Sequence, residues 1–401
     1  MILSLSIFIL IFNSISLLNA NEESDTRYLL YDINPGEGFN LRRDVYIRMA
    51  NMIKFLNEKE KWVLVLPPWG RLYHWQTSGI KSSRIPWKTF FDVQSLKDSK
   101  PKIEQIYYLQ RYKEGWSGGR WEEKIDVRDC LDPTGFEKID GKWKWSFFGY
   151  SEKIYGEKFD CLSVQAEIAT MKKFLLNEKA RSIFLLHAEE LIHGRFSEWS
   201  REWWTARRSM RFSKELVNTA NSFRKEKLQS TDDSDKTIQD PDWTKQVKKP
   251  GEAIGGPYVA VHLRRRDFLY GHKDDVPSIQ WAAHQLRKIL VDKDLMKLFV
   301  ATDAPDNEYR ELVESLPDFE VYRYIPTQEE LEKFTDGGIA IIDQLICVHA
   351  RFFIGTNLST FSFRIHEERQ ILGFDAKTTY NVVCGTGKDV CEQPSIWPVM
   401  Y

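Results

Sequence analysis

The residues best suited to chemistry gather in Asn34-Pro-Gly-Glu-Gly-Phe-Asn40. Gly36 and Gly38 leave no side chain between backbone amides and a bound anion, and a helix N-terminus just beyond them favours negative charge. Glu37 between them is an odd choice for an anion cradle, because a carboxylate weakens phosphate binding unless it has a proton to take. A partial Gly-x-Gly is a weak signal alone, and a tight turn with a solvated Glu is the plain alternative. The second set is His262-Leu-Arg-Arg-Arg-Asp267. Along a strand, His262 and Arg264 project to one face and Leu263 to the other. A guanidinium stays charged and matches phosphate oxygens bidentately, so Arg264 is the candidate for a leaving diphosphate, while Arg265 and Arg266 are assigned to solvent or Asp267. Asp343 sits in Ile341-Ile-Asp-Gln-Leu-Ile346. A carboxylate among isoleucines needs a partner, either a ribose hydroxyl or base N–H of a ligand or a core ion pair. Last, Gly355-Thr-Asn-Leu-Ser-Thr-Phe361 enters a helix through Ser359 and Thr360, giving hydroxyls and free amides for a second anion site or for ordinary capping.

These residues need elements that hold them at strand ends. Tyr28 to Ile33 reads as a strand, and Leu41 to Leu56 as a helix with Val45, Met49, Met52 and Leu56 on one face. Trp62 to Leu66 is a second strand, which makes residues 34–40 the first turn of a βαβ unit, where open α/β sheets bind ligands. Later in the chain, strands at 258–263, 297–303, 321–324 and 351–355 alternate with helices at 278–291, 307–316, 339–350 and 359–372. That alternation means a parallel sheet with right-handed crossovers. The expected organisation is an α/β protein of two Rossmann-like halves facing a central cleft: residues 21–224, then a polar linker or loop at 225–256, then 257–401.

Composition fits that size. A chain of 401 residues, 42% hydrophobic with 14 Trp, 24 Phe and 16 Tyr, supplies two cores. The net charge of -1 implies neither a nucleic-acid nor an anionic-membrane partner, so any anion site must be local. Met1 to Ala20 reads as a removable signal peptide, its apolar run Ile2 to Phe12 being short for a span. In that compartment Cys384 and Cys391 suit a small disulfide ring, Cys130 and Cys161 are the next pair, and Cys347 is a buried free thiol. Asp233-Ser-Asp235 and Asp240-Pro-Asp242 mimic a metal-binding Asp-x-Asp, but they fall in the linker and read as solvated charges. His187 and His193 are spaced i, i+6, which does not suit a zinc helix. Asn357-Leu-Ser359 is a glycosylation sequon overlapping the suspected site, and is expected to be unmodified.

Asn-Pro-Gly-Glu-Gly-Phe-Asn, His-Leu-Arg-Arg and Ser-Thr-Phe-Ser-Phe-Arg-Ile-His-Glu-Glu-Arg, in this order from Tyr28 to the C-terminus, resemble the GDP-fucose protein O-fucosyltransferases. The resemblance implies a GT-B fold and inverting, metal-independent transfer of fucose from GDP-fucose to Ser or Thr of folded thrombospondin type 1 repeats in the endoplasmic reticulum. It implies Glu37 as the catalytic residue, with Arg264, and Glu368 as a carboxylate associated with activity. It places Gly36, Gly38, Phe39, Asn40, His262, Leu263, Arg264, Asp343, Ser359, Thr360 and Phe361 around the donor. No cofactor is implied. O-fucosylation of epidermal-growth-factor-like repeats is the near alternative, and a non-catalytic luminal binding module for cysteine-rich domains is the distant one.

Overall fold

The computed structural model describes residues 25–34, 36–70, 72, 74–92, 103–111, 137–139, 142–146, 153–164, 168–191 and 200–401. The expected signal peptide, Cys130 and His193 lie outside them. The chain divides into two compact units: Met1–Gly38, Arg42–Tyr73 and Lys97–Trp203 form one, and Phe39–Leu41, His74–Leu96 and Trp204–Tyr401 the other.

The first unit is built on a seven-stranded sheet. Its strands are β1 (Arg27–Tyr31), β2 (Trp62–Val65), β3 (Ile103–Arg111), β4 (Glu137–Ile139), β5 (Lys142–Ser146), β6 (Lys153–Val164) and β7 (Ser182–Leu186), in the order β2-β1-β7-β3-β6-β5-β4. The β2 to β6 part is parallel, and β5 and β4 are added antiparallel. Helix α1 (Phe39–Leu56) follows β1, and its Val45, Met49, Met52 and Leu56 are fully buried, the face their spacing indicates. They pack with Leu29 and Tyr31 of β1, Ile183 and Leu185 of β7, and Met171 and Leu175 of α2 (Ile168–Asn177). Strand β7 is buried along its whole length, as a central parallel strand should be.

In the second unit, β8 (Gly256–Leu263), β9 (Lys297–Thr302), β10 (Glu320–Tyr322) and β11 (Ala350–Ile354) form a parallel sheet in the order β10-β9-β8-β11. Around it the chain runs through α3 (Arg201–Ser209), α4 (Lys214–Leu228), α5 (Asp232–Asp235), α6 (Phe268–Gly271), α7 (Ile279–Asp292), α8 (Asp306–Glu314), α9 (Gln328–Val348) and α10 (Thr360–Leu372). The alternation expected from sequence is present element by element. Val259, Val261, Leu286, Leu290, Leu298 and Val300 are at the centre of this core.

Residues 225–256 belong to the second unit and are folded. The reason is Arg224 of α4, which is fully buried and satisfied by its own neighbourhood: Asp232 at 2.7 Å, Asp235 at 2.8 Å and Ser230 at 3.1 Å. Asp235, read above as a solvated charge, is instead a buried counterion only 2% exposed. A buried charge must be paired, and here the pairing is what folds a polar segment. Cys384 and Cys391 are disulfide-bonded, Cys347 is a buried free thiol, and Cys161 is disulfide-bonded.

Candidate active site

In the first unit, residues 34–38 turn the chain from β1 into α1. Neither glycine is left-handed: Gly38, the N-cap, has φ −71°, and no positive φ occurs at Gly36. A Cβ on Gly36 would make ordinary contact with Asn34 Oδ1 at 3.6 Å, so glycine gives this turn room rather than a special dihedral. The turn is bonded to itself. Gly36 N–H donates to Asn34 Oδ1 (3.1 Å) and Glu37 N–H to Asn34 O (3.0 Å). Those two amides are therefore engaged within the turn. Arg42 grips the turn from α1, donating to Glu37 O (3.0 Å) and Asn34 O (3.2 Å). The Glu37 side chain is half-buried, and burial first, then the charge of Glu189, holds its carboxyl above the ordinary glutamate value. A carboxylate so placed is a stronger base than a solvated one.

In the second unit, the carboxyl ends of the neighbouring strands β8 and β11 hold the rest. His262 is buried and kept neutral, its pKa pushed down to about 3 by burial. Its ring stacks on Phe361, centroids 4.2 Å apart, and its Nδ1 lies 2.9 Å from Ser362 Oγ. Thr356 ties the two strand ends together. Its Oγ1 accepts from Arg264 N–H (2.8 Å) and donates to His262 O (2.8 Å), while its N–H donates to Ser362 Oγ (3.2 Å). A Cβ on Gly355 would overlap Ser362 Oγ, so glycine is required for this approach. Gln344 of α9 donates to both Asn40 Oδ1 (3.0 Å) and Phe361 O (3.2 Å), which brings Asn40 to the same corner. Ser359 is the N-cap of α10, but its side chain makes no capping hydrogen bond.

Arg264 is held between two carboxylates, Asp267 (2.7 Å) and Asp303 (2.8 Å), and donates to His74 Nδ1 (3.0 Å). Burial and the Arg264 charge keep the His74 pKa below the usual imidazole value, as an accepting ring requires. Of the neighbouring arginines, Arg266 is exposed as expected and Arg265 is not. Arg265 does not face solvent: it is 7% exposed, paired with Glu308 (2.7 Å) and bonded to Pro277 O. Arg266 donates to Asp303 O (2.9 Å) and Gln76 Oε1 (2.8 Å). Asp267 thus serves Arg264, because the strand end turns Arg265 inward against α8.

Asp343 lies one residue before Gln344. Its Oδ1 is closed off from solvent with no hydrogen-bond partner, and burial pushes its pKa up to about 8. An orphaned carboxyl oxygen fits a ligand donor better than a core ion pair. Glu368 is different. It is 6% exposed and paired with Arg207 of α3 (2.8 Å), which also holds Glu367 (2.7 Å), while Gln239 donates to its other oxygen (3.3 Å). Leu263 packs into the core at 4% exposure and offers its backbone, its carbonyl accepting from Thr302 Oγ1 (2.7 Å). No group of three or more His, Cys, Asp or Glu that could hold a metal occurs among the described residues, and no helix among them is long and apolar enough to cross a membrane.

A family profile described as GDP-fucose protein O-fucosyltransferase matches residues 28–372. The chain belongs to that family. It is 51% identical over 393 residues to GDP-fucose protein O-fucosyltransferase 2 of Pan troglodytes, covering 94% of this chain and 91% of the relative. It is 43% identical over 411 residues to the protein of that name in Caenorhabditis elegans, covering 97% and 94%. A crystal structure of POFUT1 in complex with GDP-fucose shares the fold at a TM-score of 0.53 and 16% identity, covering 90% of this chain and 99% of that one. This fucosyltransferase is therefore a glycosyltransferase of GT-B type. Sequence reading missed Gln344, Thr356, Ser362, Asp303 and His74. Thr356 and Ser362 were within reach, since Thr356 lies inside the quoted Gly355–Phe361 loop and Ser362 directly follows it. His74 and Asp303 are joined to Arg264 only by the fold.

Proposed function

We propose that this fucosyltransferase moves fucose from GDP-fucose to Ser or Thr hydroxyls of folded thrombospondin type 1 repeats, with inversion and without a divalent metal, in the lumen of the endoplasmic reticulum. The observation that carries the donor half is the corner of the second unit where Arg264, the buried His262–Phe361 stack and the uncapped start of α10 meet. In the reaction the bond from the anomeric carbon to the β-phosphate oxygen breaks and GDP leaves. Charge grows on that oxygen, and Arg264 with the Thr360 and Phe361 amides opposes it. The acceptor hydroxyl attacks the opposite face, its proton passing to Glu37 directly or through one water. Supplied with a fixed guanidinium and helix amides, the leaving group needs no metal. The choice of acceptor and compartment rests on the motif resemblance and the apolar N-terminal run.

The test offers purified protein GDP-fucose with folded thrombospondin type 1 repeats or folded epidermal-growth-factor-like repeats, in excess EDTA. Transfer to the thrombospondin repeats, abolished by Glu37→Gln with GDP binding retained, is the expected result. Transfer only to the other repeat type would reassign the acceptor. A strict Mn²⁺ requirement would remove the metal-free mechanism, and donor binding without turnover would leave a binding module.

A further inference from the structure

The first unit holds a cluster of titratable groups that the reaction above does not use. His187 follows β7 in the left-handed region, φ 59° and ψ 47°, which residues with side chains seldom adopt. Its Nδ1 donates to Glu189 Oε1 at 2.9 Å. The other Glu189 oxygen, Oε2, accepts from Asn34 N–H at 3.1 Å. Asn34 is the residue whose carbonyl and side chain bond the amides of Glu37 and Gly36. The backbone of this corner is fixed as well. Arg48 of α1 donates to Glu189 O (3.1 Å) and Leu191 O (2.7 Å), and Ala188 N–H donates to Asp32 O (3.0 Å).

Resting on the reading of Glu37 as the base, we propose that Glu189, backed by His187, is a positioning residue of the transfer reaction: it ties down the 34–38 turn and sets a negative charge beside Glu37. A solvated surface pair would not reach across to a backbone amide 155 residues away in sequence. Nor would it need a left-handed histidine. The charged groups around Glu37 come from three elements. Asp32, just after β1, is acted on by Arg42, Glu189 and His187, and burial pushes it up to about 7. Arg42 and Arg48 on α1 lower the Glu37 pKa, while Glu189 and Glu190 after β7 raise it. His187 faces Glu189, whose hydrogen bond raises the imidazole pKa.

The signs follow. Removing the Glu189 charge removes a like charge from Glu37, so the base stays ionised to lower pH but is weaker. Removing His187 uncovers Glu189 and acts in the opposite direction. The experiment measures transfer against pH for Glu189→Gln, which keeps an oxygen for the Asn34 amide, and for His187→Asn, which tolerates the left-handed backbone. The acidic limb of kcat/KM should move down by roughly 0.5–1 unit in Glu189→Gln and up by a comparable amount in His187→Asn. GDP affinity should change less than about twofold in both, because neither residue belongs to the donor corner. An unshifted limb in Glu189→Gln overturns the assignment. Should that variant fail to fold, an unshifted limb in His187→Asn overturns it equally. Glu37→Gln separates the levels: if it is inactive and the limbs do not move, only the Glu189 role falls, whereas an active Glu37→Gln removes the base reading itself.

Discussion

Replacing Arg264 with Ala is the most informative perturbation, because the structure shows what it would leave behind. The guanidinium pairs with both Asp267 (2.7 Å) and Asp303 (2.8 Å), so these three side chains together carry +1 − 2 = −1 with arginine and −2 without it. The loss is therefore double: a donor to the leaving diphosphate disappears, and two carboxylates are uncovered. Removing one electrostatic donor costs about 100- to 1000-fold in rate. For binding, one unit charge at an effective dielectric of about 20 is worth roughly 2–4 kcal/mol at about 4–8 Å. Arg264 is partly solvent-exposed, so screening reduces that figure, and GDP should bind roughly 10- to 100-fold more weakly.

A second substitution tests the cause. Asp303→Asn in the Arg264→Ala background returns the corner to −1 and keeps an oxygen for the Arg265 amide, which donates to Asp303 Oδ1 at 2.6 Å. It should recover about tenfold in GDP affinity while transfer stays low, since affinity depends on net charge and the rate on a donor at the leaving oxygen. Calorimetric titration of GDP at low and high salt, beside a radiolabel transfer assay, reads both quantities. Normal GDP affinity in Arg264→Ala would show that the diphosphate is held elsewhere. A double variant no tighter than the single one would show that the uncovered carboxylates do not act on the ligand.

Three further outcomes follow. Asp343 is raised to about 8 by burial, so the unliganded carboxyl is mostly protonated at neutral pH; if donors of the ligand ionise it, GDP affinity should rise between about pH 7 and 8.5, and Asp343→Asn should flatten that slope. Glu368→Gln breaks a buried pair with Arg207 and should destabilise the protein by about 3–5 kcal/mol, read as a melting-temperature drop of roughly 6–20 °C; an unchanged melting temperature with lost activity would make Glu368 catalytic rather than structural. Reduced, unfolded thrombospondin repeats should not be fucosylated, and equal transfer to a linear peptide of the same sequence would refute recognition of a folded surface.

What could be read from the sequence was what local periodicity encodes. The four strands and the crossover helices of the second unit were legible because apolar runs of strand length alternate there with helical spacing. Strands β3 to β6 were not, although Lys142-Trp-Lys-Trp-Ser146 alternates with period two, because Lys and Trp in alternation give no apolar run of strand length. The first part of α9 was missed for a physical reason: Thr335 sits at φ 58° and ψ 177°, and Gly337-Gly338 follows, so helical propensity fails where the helix kinks. Polarity misled at 225–256, since composition does not reveal that Arg224 collects Asp232 and Asp235 into a buried knot.

The arginines of Arg264-Arg-Arg266 show where sequence reasoning reaches its limit. Strand alternation selects Arg264 for the face of His262, but it cannot say which guanidinium is spent on structure. Partners decide that. Arg265 is committed to Glu308 and a buried carbonyl, which fix α8 and the start of α7 against the strand end. Arg266 reaches Gln76 and a backbone carbonyl, contacts that leave its charge unopposed but exposed. Arg264 alone of the three is held by two carboxylates and a neutral histidine, a setting that fixes its plane and leaves a diphosphate to compete for its donors. A guanidinium oriented before the ligand arrives has little reorganisation left to do when charge develops, and that is the property the transfer reaction requires.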